Sequence, residues 1–585
     1  MFSILKKLSW FFKEQWKRYT VAIILLAIVG VLDVMPPRLV GQAIDDIHLG
    51  SLDSGKILQY LLLLGVITVV SYGITYVWMY QLFGGAFLVE RKLRSRFMNH
   101  LLKMTPPFFE KNRTGDLMAR ATNDLKAISV TAGFGILTLV DSSIFMLTIL
   151  LTMGFLVSWK LTIAAVLPLP LMALLMKIYG KRIHVRFMEA QDAFGNLNDK
   201  VLESVSGVRV IRAYVQERAD EGRFHDMTED VYEKNIKVAR IDSLFDPTIK
   251  IIVGLSYLIG LGYGANLVFN QAITLGDLVA FNVYLGMLIW PMFAIGELIN
   301  IMQRGNASLD RVQETLSYEE DVKDPGKPAD AERPENIVFD DVTFRYPSSS
   351  TDNLKSIKVR LDRGQTLGVV GKTGSGKTTF IKQLLREYPA GAGTLAVAGI
   401  PIKDQSLQNT RNWIGYVPQD HVLFSRSVRE NILFGNEQAD ESDLHRAIDL
   451  SAFRKDLEML PGGLETLVGE KGVALSGGQR QRISIARALI KDPEILILDD
   501  SLSAVDAKTE KKIIGNIRTE REGKTTIITT HRMTAVQHAD HIIVLDNGGV
   551  AEEGTHAELM AGAGWYKEQY IRQQAQAAAE EEVLS

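Results

Sequence analysis

Gly371-Lys372-Thr373-Gly374-Ser375-Gly376-Lys377-Thr378 fits the phosphate-loop pattern G-x-x-x-x-G-K-[ST]. An apolar run, Thr366–Gly371, enters it and reads as a buried strand; residues 379–386 leave it with helical periodicity. Strand, loop and helix in that order are the context the pattern needs. The glycines let backbone N–H groups curl around phosphate oxygens, and the helix N-terminus adds the positive end of its dipole. Gly371 through Thr379 is therefore a candidate nucleotide-binding segment. Lys377 is placed to reach the β and γ phosphates and Thr378 to hold Mg²⁺.

The 585 residues are too many for one domain. A hydrophobic share of 47%, a charged share of 23% and a mean hydropathy of +0.07 average over two unlike halves. Residues 1–303 hold long apolar runs, whereas 336–575 read as an ordinary soluble α/β domain. A net charge of −3 gives no global nucleic-acid footprint, and no nucleic-acid partner is expected. The absence of cysteine excludes disulfides and Cys-ligated zinc. The start, Met1-Phe-Ser-Ile-Leu-Lys-Lys-Leu-Ser-Trp10, lacks a small-residue cleavage site and reads as an amphipathic helix on the membrane surface.

A spanning helix needs roughly 20 mostly apolar residues. Six stretches qualify: 21–44, 58–89, 128–157, 161–179, 249–269 and 278–302. Their connections alternate in charge. Lys6, Lys7, Lys13, Lys17 and Arg18 precede the first span; the second connection carries Arg91, Lys92, Arg94, Arg96, Lys103, Lys111, Arg113 and Arg120; the fourth is basic from Lys177 to Arg240. Asp45, Asp46 and Asp53 mark the first outer loop, and Trp159-Lys160 and Asn270-Gln-Ala-Ile-Thr274 make short outer turns. Both termini are then expected on the cytoplasmic side of a cell membrane. The two long inner connections keep helical periodicity, so their spans should continue past the bilayer. Each has a break at its tip, at 106–116 and 207–217, where short helices could dock on a soluble domain. Asp33, Arg38, Asp141, Lys250 and Glu297 fall within or beside the spans, where charge is costly and faces a partner or a cavity. Asp141 and Glu297 could attract cationic ligands or join helices through hydrogen bonds. Trp290 is a candidate cavity aromatic, and Pro168, Pro170 and Pro291 are candidate kinks. The chain thus divides into a helical membrane domain, 1–315, a charged Pro-bearing linker, 316–335, a nucleotide domain, 336–575, and a tail, 576–585, expected to be unstructured.

Within the nucleotide half, Tyr346 follows an early strand and either stacks on adenine or packs on the sheet. Gln419 ends the strand Ile414-Gly-Tyr-Val-Pro-Gln419, where it could coordinate Mg²⁺ and the attacking water. Leu475-Ser476-Gly477-Gly478-Gln479 precedes a helix, and its hydroxyl and N–H donors make a second anion-binding element. The two phosphate-binding elements serve one nucleotide only if they meet in space; otherwise each serves a different nucleotide across a dimer. Glu494-Ile-Leu-Ile-Leu-Asp499-Asp500 is an apolar strand ending in two acids. Asp499 suits Mg²⁺ binding, and Asp500 is placed to orient or deprotonate water. His531 follows the strand Thr525–Thr530 and could contact a γ-phosphate.

These parts, in this order, resemble the ATP-binding cassette (ABC) transporters over nearly the whole chain. The matching residues are Tyr346 of the A-loop, Gly371–Thr378 of Walker A, Gln419 of the Q-loop and Thr466-Leu-Val-Gly-Glu-Lys-Gly472 of the exporter X-loop. They continue with the signature Leu475–Gln479, Walker B ending at Asp499, the D-loop Ser503-Ala-Val-Asp506 and the switch His531. The resemblance implies an all-α six-helix exporter-type membrane domain followed by an α/β P-loop domain. It also implies a dimer that binds two Mg·ATP, each Walker A facing the other chain's signature, and a membrane cavity that alternates between sides.

One residue departs from the family pattern: Asp500 stands where Glu is usual. A carboxylate one methylene shorter falls back by roughly 1 Å, a misplacement that can cost on the order of 10²-fold in rate. Because the signature is intact, the asymmetry favours a heterodimer. A second half-transporter would carry the Glu and a degraded signature, and the pair would export amphipathic drugs. The alternatives are a homodimeric lipid flippase and an ATP-gated sensor that pumps nothing. Six spans exclude the soluble ABC proteins of DNA repair.

Overall fold

The computed structural model describes residues 3–469 and 475–584. Residues 470–472 of the X-loop segment lie outside them. The chain forms two units, one of Met1–Leu102 with Thr114–Tyr318, the other of Lys103–Arg113 with Glu319–Ser585.

The first unit is helical. Among the described residues, five helical runs are long and apolar enough to cross a membrane: Trp16–His48, Ser54–Leu101, Thr114–Val166, Glu217–Phe269 and Leu275–Ser317. The remaining expected span, 161–179, is divided at Leu167 and Pro168 between Trp159–Val166 and the 38-residue helix Leu169–Ser206. Pro168 has no N–H to continue the first helix, and its fixed φ suits the start of the second. The last run is interrupted at Leu288, and Pro291 sits in the first turn after the break. Ser54–Leu101 and Leu169–Ser206 run well beyond their apolar stretches, and the polar helix Glu217–Asp242 leads into the apolar helix Phe245–Phe269.

The turns before the second and last apolar runs are made by short polar caps. Asp53 accepts from Lys56 N at 2.7 Å, and Thr274 with Asp277 forms a capping box. Helices Met35–His48 and Leu275–Met287 meet at Gly41 and Gly276, where a Cβ on Gly276 would lie 1.9 Å from the Gly41 carbonyl oxygen. Small residues permit that approach. The Arg38–Asp277 ion pair at 2.6 Å and the bond from Gly276 N to Asp45 Oδ1 at 2.7 Å flank it. Lys250 pairs with Asp246 at 2.6 Å, and Asp141 accepts from Trp290 Nε1 at 3.1 Å. The side chains of Asp33 and Glu297 make no hydrogen bond among the described residues and are exposed.

The second unit holds two sheets. The strands are β1 (Asn336–Phe344), β2 (Leu354–Asp362), β3 (Thr366–Gly371), β4 (Ala392–Val397), β5 (Ile400–Pro401), β6 (Ile414–Val417), β7 (Ile495–Asp499), β8 (Thr525–Thr530), β9 (His541–Asp546) and β10 (Gly549–Gly554). An antiparallel sheet has the order β2-β1-β4-β5, and the larger sheet β10-β9-β3-β8-β7-β6. Strands β9, β3, β8, β7 and β6 are parallel and β10 is an antiparallel edge. The central strands read as continuous apolar or Thr runs because they are covered on both faces. Phe339 stacks on Phe380 at 4.2 Å, joining the antiparallel sheet to the helix Lys377–Leu384. A separate helical core around Val428, Ile432, Leu444, Ile448 and Ile483 supports the helix Gly477–Leu489.

Of the two tips expected on the inner side, the first belongs to this second unit. Its short helix Pro106–Lys111 is anchored by Thr105 Oγ1 donating to Asp321 at 2.7 Å and by Lys103–Glu320 at 3.1 Å. The second tip forms the helix Val208–Ala213 in the first unit, with Val210, Tyr214 and Val215 exposed. The final helix, Trp565–Leu584, continues through the segment expected to be an unstructured tail; its Ala and Glu residues are strong helix formers.

Candidate nucleotide site

Parallel strands place their carboxyl ends along one edge, and in open α/β sheets that edge is where ligands bind. Here β3 ends at Gly371, β7 at Asp499 and β8 at Thr530, with Val370 paired to Thr530 and Asp499 to Thr529. The phosphate loop, the two acids and His531 therefore converge because of strand register.

The loop is shaped by glycine. Gly371, Gly374 and Gly376 have φ of 151°, 83° and 108°. A Cβ on Gly371 would lie 2.3 Å from the Leu545 carbonyl oxygen, and one on Gly376 would lie 2.8 Å from that of Asn353. Lys372, Thr373 and Gly374 are exposed. Lys377 Nζ donates to the carbonyls of Gly371 and Lys372 at 2.8 and 3.0 Å, folded across the loop's mouth. Burial pulls its pKa below the ordinary lysine range, against the opposing pull of Asp500 and Asp499. The Ser375 hydroxyl is buried with no partner, an orphaned donor suited to a phosphate oxygen.

Asp499 is buried, and burial pushes its carboxyl pKa up. Thr529 Oγ1 donates to its Oδ1 at 2.6 Å, Thr378 Oγ1 to the same oxygen at 3.2 Å, and Tyr416 OH to Oδ2 at 3.4 Å. No cationic side chain pairs with it among the described residues. A buried carboxylate held by hydroxyls beside the phosphate loop fits a divalent cation, which would reverse the burial penalty. Mg²⁺ at such sites takes one or two protein ligands plus phosphate oxygens; Thr378 Oγ1 and Asp499 are the groups that would hold it here.

Asp500 has a left-handed backbone, φ 46°, and its N–H donates to the Thr529 carbonyl at 2.9 Å. Its Oδ1 lies 2.9 Å from His531 Nδ1. That contact raises the His531 pKa, against burial. Tyr346 is half-buried, and its hydroxyl donates to Thr379 Oγ1 at 3.0 Å. Gln419 is exposed past the end of β6 and makes no hydrogen bond among the described residues.

Ser476 caps the helix Gly477–Leu489, accepting from Gln479 N at 3.3 Å while Gln479 Oε1 accepts from Ser476 N at 3.0 Å. Among the described residues, no hydrogen bond, ion pair or ring contact joins Ser476, Gly477, Gly478 or Gln479 to the phosphate loop. The structure thus gathers Gly371–Thr379, Asp499, Asp500 and His531, and leaves the signature segment on its own helical core. Thr529 and Tyr416 escaped sequence reasoning. Their signal was weak: Thr529 lies inside a Thr-rich strand, and Tyr416 two residues before the Pro that ends β6.

Residues 19–292 match the model of the ABC transporter transmembrane region, and 354–503 that of the ABC transporter. Over 98% of each chain, 66% of residues are identical to the probable multidrug resistance ABC transporter ATP-binding/permease protein YheI of Bacillus subtilis (strain 168). The chain belongs to the ABC transporter family. It is also 40% identical to the multidrug resistance-like ATP-binding protein MdlA of Escherichia coli (strain K12), over 98% of this chain and 97% of that one. In fold it matches a bacterial Atm1-family ABC exporter solved with ATP bound, at a TM-score of 0.77 and 24% identity, covering 96% and 99% of the two chains. This ABC transporter is a multi-pass membrane protein that binds and hydrolyses ATP.

Proposed function

We propose that this ABC transporter is half of a heterodimeric multidrug exporter in the cell membrane, with both termini cytoplasmic. Its own Walker site binds Mg·ATP and turns it over slowly, and its signature segment completes the partner's site. In the chain's own site Gly371–Thr379 cradle the phosphates, Lys377 neutralises the β and γ groups, and Thr378 and Asp499 hold Mg²⁺, joined by Gln419. Bound Mg·ATP supplies the phosphoryl bond whose hydrolysis drives transport. Tyr346 stacks on the base, and Ser476, Gly477, Gly478 and Gln479 offer donors to a nucleotide on the partner.

The observation that carries this reading is Asp500. It occupies the position that follows the Walker B acid, it is short, and its carboxylate is engaged by His531 at 2.9 Å. A base turned toward His531 is poorly disposed to activate water. The signature, by contrast, is intact and separately folded. The names of YheI and MdlA support drug-like, amphipathic cargo.

Co-expression of a tagged version of this chain with its genomic neighbours, followed by native mass spectrometry, tests the pairing. The expected result is a 1:1 complex whose second chain has Glu after its Walker B acid and an altered signature, and which moves a fluorescent amphipathic dye into inside-out vesicles. A partner with an intact signature and no such Glu contradicts the proposal.

A further inference from the structure

Tyr388 lies in the second unit and has no part in the sequence motifs, yet it is only 2% exposed. Its ring meets Tyr346 edge-on at 4.9 Å and Phe344 at 5.7 Å. Tyr346 is thereby confined. It is edge-on to Phe344 at 5.0 Å, its hydroxyl is held by Thr379, and Lys382 Nζ lies 5.9 Å from its ring centre and 5.7 Å from that of Tyr388. The Tyr388 hydroxyl donates to Glu110 Oε1 at 3.1 Å. Burial and Glu110 both push the Tyr388 pKa up, so the phenol remains a donor. Glu110 is on the helix Pro106–Lys111, the first inner tip, itself anchored at Lys103 and Thr105.

We propose that Tyr388 is a positioning residue for Tyr346, and that Glu110 sets it through the hydroxyl, so that the first inner tip controls the platform on which adenine stacks. A contiguous chain of contacts runs Glu110–Tyr388–Tyr346–Thr379 and ends on the phosphate-loop helix. Turning the Tyr388 ring would strip its buried hydroxyl of a partner, a penalty that keeps the ring in place. The proposal rests on the reading of Tyr346 as the adenine platform.

The test uses the full-length chain in lipid nanodiscs and two probes, Mg·ATP and inorganic tripolyphosphate, which has no base. Tyr388→Phe and Glu110→Ala are expected to weaken ATP binding about threefold to tenfold and to leave tripolyphosphate binding unchanged, with Glu110→Gln, which keeps an acceptor oxygen, restoring ATP affinity. Equal loss of both probes would mark a merely structural role and overturn the proposal. Tyr346→Ala separates the two levels of the argument. If it weakens ATP binding while Tyr388→Phe and Glu110→Ala do not, the platform stands and the positioning role falls. If it leaves ATP affinity untouched, the platform reading fails and the proposal fails with it.

Discussion

Asp500 and His531 sit at the ends of adjacent strands, and their contact has a measurable electrostatic consequence. The bond to Asp500 raises the His531 pKa above its ordinary 6.5, against the burial that lowers it. A raised pKa means that protonated His531 stabilises the folded state. That contribution is fully present below pH 6.5 and is lost as pH rises through the raised value. Asp500→Asn should return the His531 pKa, read by NMR of labelled histidine, toward 6.5 or below. It should also remove the decline in thermal stability expected of the unmodified chain as pH rises through the raised His531 pKa. An unchanged His531 pKa in the variant would show that the pair does not persist in solution. This coupling was not legible in the sequence. Asp500 and His531 are 31 residues apart, and only the parallel pairing of β7 with β8 brings them together.

Among the elements, those defined by strong local chemistry were the easiest to read. The phosphate loop needs glycine at positive φ, and Gly371 and Gly376 stand where the motif puts them. The apolar runs of β3 and β7 announce buried strands, whereas the helix caps at Asp53 and Thr274 went unread behind their loop assignment. The divided helix at Leu167–Pro168 was legible only as a candidate kink at Pro168, because hydropathy is blind to a break that keeps the sequence apolar. The Gly41–Gly276 contact was invisible, since it joins helices from opposite ends of the membrane unit. It now predicts that Gly276→Ala, whose Cβ would meet backbone, destabilises that unit by about 1–3 kcal/mol. Gly254→Ala, in a helix position with open space around it, is the control. Heat or detergent unfolding of the purified protein would separate the two; equal midpoints would mean that the helices part at no cost.

At the scale of the whole molecule, the chain carries Leu475-Ser-Gly-Gly-Gln479 and, after Asp499, an aspartate at position 500. The family, the two kinds of unit and the nucleotide motifs were legible because each rests on local residue chemistry. The proposed partner rests on Asp500, since a single chain records nothing of a surface that would complete its site. The most direct test is the ATPase activity of the chain purified alone in lipid, with Asp500→Glu beside it. The account predicts near-zero turnover for the unmodified chain and a gain on the order of 10²-fold for the variant, from restored reach of the carboxylate. Brisk, drug-stimulated turnover of the unmodified chain alone would contradict it and make the protein a working homodimer.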